Sequence, residues 1–132
     1  MLHSHLFSGA LLEVPFLNAF EELSNPSSSI SLFESTEWGD PDDLKQVDPT
    51  ELLNSPSRQF KLPPMLLTCA QNDSRVSAHS IRRFANLARM QGNSVHVLEM
   101  NGGHGGDGGV ISWADDASEI LDFLLSIKKE RY

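Results

Sequence analysis

The stretch from Pro63 to Met100 constrains the fold more than any other part of the chain. It opens with "PPMLLTCA", an apolar run behind two prolines that suits a fully buried strand over 63–70. A polar turn, "QNDSRVS", follows. "AHSIRRFANLARMQG" then sets Ile81, Phe84, Ala85 and Ala88 at i, i+3, i+4 and i+7, the apolar face of an amphipathic helix with Gly92 as its stop. "SVHVLEM" (94–100) alternates and carries β-branched residues, which predicts another strand. Two strands joined by one helix form a right-handed crossover. They lie parallel and adjacent, and the loops after both open on the same side.

The flanking segments extend this pattern. "ALLEVPFL" (10–17) predicts a short buried strand that stops at its proline. "NAFEEL" forms a turn of helix before "SNPSSS" breaks it. From Ser24 to Arg58 the chain is rich in Ser, Pro, Asp and Asn, with "EWGDPDD" and "DPTELL" as turn and helix-start signals. That segment reads as a long excursion with short helices outside the core. "SWADDASEILDFLLSIKKERY" predicts a closing helix that starts near Ala114, with acids in its first turn and Lys128, Lys129 and Arg131 at its end. Its stripe of Ile120, Phe123, Leu124 and Ile127 would pack on the sheet. The order is that of an α/β fold with a parallel sheet. Three strands are few for such a sheet, and an edge or a face is left bare.

Composition narrows the function. The 132 residues make about one small domain, and 39% hydrophobic with 21% charged residues is a globular balance. A net charge of −8 argues against nucleic acid and leaves a cationic substrate or partner compatible. Cys69 is the only cysteine, so no internal disulfide forms and a cytoplasmic setting is expected. Within "MLLTCA" its thiol reads as buried and inert. No run approaches the roughly 20 apolar residues that cross a bilayer. The start, "MLHSHLFSGALLEVPFL", lacks the basic segment of a secretion signal. No membrane association is expected.

"GGHGGDGG" (102–109) is the densest chemical signal. Gly103, Gly105 and Gly108 match a dinucleotide fingerprint. A helix starting near Ala114 would not reach a pyrophosphate, and no second β-strand with a ribose-binding acid follows. A metal site needs several ligands, and neither His-x-x-x-His nor His-Glu-x-x-His occurs among the five histidines. No metal or cofactor is expected. The remaining chemistry is catalytic. Hydrolytic triads of α/β folds run Ser, Asp, His along the chain, with Asp and His on loops after successive strands. Asp73 follows the strand at 63–70 and His104 follows that at 94–100. Glycines would let the backbone turn sharply and bring His104 to Asp73. A surface turn with a solvated histidine fits the spacing equally well.

At these residues the chain resembles a known family. "PPMLLTCAQNDSRV", "LLEVPFL", "EWGDP" and "NGGHGG" are similar to the C-terminal part of the catalytic domain of prolyl oligopeptidase-type serine peptidases, and "EWGDP" and "HGG" are closer to the oligopeptidase B branch. The resemblance runs from about Leu6 to the last helix. It implies a partial α/β-hydrolase fold: the last three parallel strands with flanking helices, without β-propeller or nucleophile elbow. It also implies that Asp73 and His104 are triad residues and that Arg75 binds a substrate carbonyl, where a surface salt bridge is the plain alternative. Trp38 would stand near the S1 pocket as an aromatic wall, or simply pack.

No Gly-x-Ser-x-Gly occurs in the sequence. The family carries its serine upstream of the strand at 10–17, which places it before Met1. Residues 1–132 therefore read as one C-terminal fragment of a peptidase catalytic domain, acting on short peptides when joined to its N-terminal part and inactive alone. The rival reading is a truncated, non-catalytic relative that serves as a binding or regulatory module.

Overall fold

The computed structural model of the chain describes residues 3–28, 30–31, 36–102 and 110–129. Three parallel strands form one sheet in the order β1 (Ala10–Glu13), β2 (Met65–Ala70), β3 (Val95–Met100). Ala10 pairs with Met65, and Met65 in turn with Val95, so the three strands start level. The crossover expected over 63–100 is present: β2 leads through α4 (Ala78–Met90) into β3. Between β1 and β2 lie α1 (Ala19–Ser24), α2 (Pro41–Val47) and α3 (Pro49–Asn54). The last helix is α5 (Val110–Lys129).

β2 is buried along its whole length because both of its faces are covered. Met65, Leu67 and Cys69 meet Ile81, Phe84, Ala85 and Ala88 of α4, the face that the heptad-like spacing predicts. On the opposite face, Gly9 shows where α5 runs. A Cβ built there would meet the Ile127 side chain, so the end of α5 lies against the entry to β1. Leu66, Ala70 and Leu98 are buried on that side. Proline shapes the short helices. Asp40 and Asp48 cap α2 and α3 with their carboxylates, each followed by a proline in the first turn.

Four expectations are corrected. β1 stops at Glu13, short of the proline expected to end it, because Val14 turns to φ 42° and donates its N–H to the Thr68 hydroxyl at 3.0 Å. That bond takes the chain out of the sheet before Pro15. The excursion is not wholly outside the core. Asp48, Thr50 and Leu53 are buried, with the Thr50 hydroxyl on the Leu17 carbonyl at 2.6 Å. α5 begins at Val110 rather than near Ala114, since Asp115 and Asp116 fall inside the helix instead of marking its start. Finally, Leu124 is 47% exposed. The sheet-facing stripe of α5 is Ile120, Phe123 and Ile127, each half-buried.

No helix among the described residues is long and apolar enough to cross a membrane.

Candidate active site

The parallel register puts the C-terminal ends of β2 and β3 on one rim. Two backbone bonds tie the loops that leave it. The Gln71 N–H donates to the Met100 carbonyl at 3.3 Å, and the Asn72 N–H donates to the Gly102 carbonyl at 3.1 Å. Asp73 therefore stands beside the first residue of the glycine run. His104 lies outside the described residues, as does the rest of 103–109.

Asp73 is held by its own turn. Its Oδ1 accepts the N–H groups of Arg75 at 2.8 Å and Val76 at 3.0 Å. One carboxylate oxygen is thus oriented by two amides just ahead of α4, a pattern that short acidic side chains adopt readily. Val76 is buried behind it and fixes the turn to the core. Arg75 is exposed, and its guanidinium meets no acid among the described residues. The salt bridge offered as its plain reading is not formed there.

A second clamp closes the rim. Arg82 of α4 binds Glu99 of β3 through two bonds, Nε to Oε1 at 2.7 Å and Nη2 to Oε2 at 2.8 Å. The Gln71 amide reaches Glu99 Oε2 at 3.5 Å. The Arg82 hydrogen bond holds the Glu99 carboxyl below the usual carboxylate range, and Glu99 raises Arg82 in return. Underneath, Cys69 is fully buried, and burial first, then the Glu99 charge, pushes its thiol up. A protonated, enclosed thiol is a poor nucleophile.

Trp38 stands apart from Asp73 along the sequence and packs edge-on against Phe16, ring centroids 5.5 Å apart at 63°. It keeps 39% of its surface exposed. This pair follows the Val14 turn at the end of β1.

A cleft of about 580 Å³ opens where β2 ends, lined by Asp73, Arg75, His79 and Arg82 and, on its far wall, by Glu22 and Ser28. It gathers Asp73 and Arg75 as the sequence suggests, but not Trp38. The places of Glu22 and Ser28 in this lining are not legible in the sequence. "NAFEEL" reads only as a turn of helix, and nothing in its spacing says that α1 folds back over the start of α4.

Comparison with known proteins follows from this geometry. The model of the prolyl oligopeptidase family matches residues 1–130. Oligopeptidase B from Leishmania major is 24% identical with a TM-score of 0.69, over 78% of this chain and 15% of that one. Esterase 2 of Thermogutta terrifontis, phosphonylated by cyclosarin, is 22% identical with a TM-score of 0.64, over 91% of this chain and 41% of that one. The native form of that esterase gives 21% identity and a TM-score of 0.58, over 91% and 42%. The chain thus spans less than half the length of these structures, which share its fold. No curated protein matches.

Proposed function

The chain belongs to the prolyl oligopeptidase family, and we propose on that premise that it is the C-terminal part of the catalytic domain of a serine-type oligopeptidase. In this reading Asp73 and His104 serve a Ser-Asp-His triad whose serine is carried by another segment of the enzyme. Asp73 orients the imidazole and stabilises its cation. His104 takes the proton from the serine and passes it to the leaving amine. Arg75 binds a carbonyl oxygen of the peptide. Alone, the chain hydrolyses nothing at a useful rate, because triad members act as a unit. The setting is cytoplasmic and no cofactor takes part.

One observation carries the reading. The Asn72–Gly102 bond holds the Asp73 loop against Gly102, two residues before His104 in the sequence. A carboxylate and a histidine on loops after successive parallel strands are the arrangement that α/β-hydrolase triads need.

A second reading, a non-catalytic binding module, is favoured by the outer edge of β1. That edge has no strand partner among the described residues. Leu6 and Phe7, 67% and 61% exposed, stand near it at the mouth of an apolar groove of about 660 Å³.

The test is to blot native cells with an antibody against "EILDFLLSIKKERY" and to treat the same extract with a fluorophosphonate, which marks reactive serines. A labelled form well above 14.6 kDa is expected. An unlabelled band at 14.6 kDa alone would overturn the hydrolytic reading in favour of the module.

A further inference from the structure

Three acids that face α4 are matched by its arginines. Glu21 meets Arg83 at 2.7 Å, Glu51 meets the same guanidinium at 3.8 Å, and Glu99 meets Arg82 at 2.7 Å. Glu22 is held differently. Its Oε1 accepts the Asn18 amide at 3.3 Å and its Oε2 accepts the Ser28 hydroxyl at 2.8 Å, both neutral donors. No cation pairs with it among the described residues.

This carboxylate is also fixed in place. Asn18 is 3% exposed, and the same amide nitrogen donates to the Ser80 hydroxyl of α4 at 2.9 Å. The chain Ser28, Glu22, Asn18, Ser80 therefore bridges α1 to α4 across the wall of the cleft that holds Asp73 and Arg75. One hydrogen bond per oxygen leaves lone pairs on each for a further donor. A carboxylate oriented beforehand by neutral groups binds a cation without the cost of ordering itself. The cleft thus holds in one lining Glu22, a carboxylate bound by neutral donors, and Arg75, whose guanidinium meets no acid among the described residues.

We propose that Glu22 is a cation-binding subsite, which holds the ammonium or guanidinium group of a peptide whose carbonyl oxygen reaches Arg75. The proposal rests on the hydrolytic reading for the peptide nature of the ligand. The cation comes either from a free amino terminus or from a basic side chain, and the two present the same charge-assisted donors to a carboxylate.

The experiment is an amide-resolved NMR titration of the 132-residue chain with three probes. Nα-acetylarginine amide carries only a side-chain cation, alanine amide only a free amino terminus, and Nα-acetylnorleucine amide none. At least one cationic probe is expected to shift the Glu22, Ser28 and Asp73 amides saturably, while the neutral probe does not. Glu22→Gln is expected to weaken that binding about ten-fold. The arginine probe alone assigns the subsite to a side chain, alanine amide alone to the amino terminus, and both together to either. Equal binding of the neutral probe, or no saturable shift with either cation, overturns the proposal. Those comparisons use the unaltered chain, so they stand even where Glu22→Gln fails to fold. Cation binding in a chain whose cellular form carries no reactive serine would retire the hydrolytic reading and leave Glu22 in place. A labelled heavy form whose cleft ignores both cations would do the reverse.

Discussion

Arg82 and Glu99 face each other across the rim of the sheet with both bonds of a forked ion pair made, at 2.7 and 2.8 Å. The pair joins α4 to β3, and its Glu99 is the cross-strand partner of the enclosed Cys69. Its lowered Glu99 carboxyl sets a pH signature. A carboxyl depressed in the folded state adds stability above its unfolded value of 4.5, and that stability is lost as pH falls through the lower folded value. Thermal melts of the native chain and Glu99→Gln are expected to differ at neutral pH and to converge below 4.5. A gap that widens on acidification would contradict the pairing.

Asp73 has a structural duty separable from any catalytic one. Asp73→Asn keeps an oxygen for the Arg75 and Val76 amides, so its melting temperature is expected to match that of the native chain. Asp73→Ala strands both donors and is expected to cost about 1–2 kcal/mol. In the assembled enzyme Asp73→Asn would lower kcat by about 10⁴-fold if Asp73 orients the triad histidine. Melts of both variants and kcat of the intact enzyme check the two halves.

Thr68 is 1% exposed and accepts the Val14 N–H. Thr68→Val keeps the shape but leaves that amide without its acceptor beside a backbone at φ 42°. A loss of about 1–3 kcal/mol in urea unfolding is expected. A variant as stable as the native chain would show that the hydroxyl does not hold the turn.

Phe84, 2% exposed, is the largest enclosed side chain between α4 and the sheet among the described residues. Phe84→Ala is expected to cost about 3–5 kcal/mol, a large share of what a domain this size commands. Ile81→Val, at a site with no exposure, should cost only about 0.5–1.5 kcal/mol, since it removes one methylene. Equilibrium denaturation of the two separates them.

The sequence spells out the β2–α4–β3 unit because its signals are local. Period-two and helical spacing, a proline entry and the stop at Gly92 (φ 83°) all lie within the unit itself. The placement of Asp73 at the strand end is legible for the same reason. Other features depend on contacts distant in sequence. Val14 leaves the sheet because of a hydroxyl 54 residues on, and Glu22 enters the cleft because Asn18 finds Ser80, 62 residues on. No window of neighbours encodes either. The acids of α5 resemble a start signal, whereas the helix takes in the apolar residues before them.

The same contrast has a kinetic side. β2 and β3 are about 30 residues apart, whereas β1 must wait for a 55-residue loop to close before Ala10 meets Met65. Loop closure of that length delays pairing more than it weakens it. β1 is therefore expected to join last and open first, a four-residue latch on an otherwise local nucleus. Whatever covers its outer edge would act by keeping that latch shut.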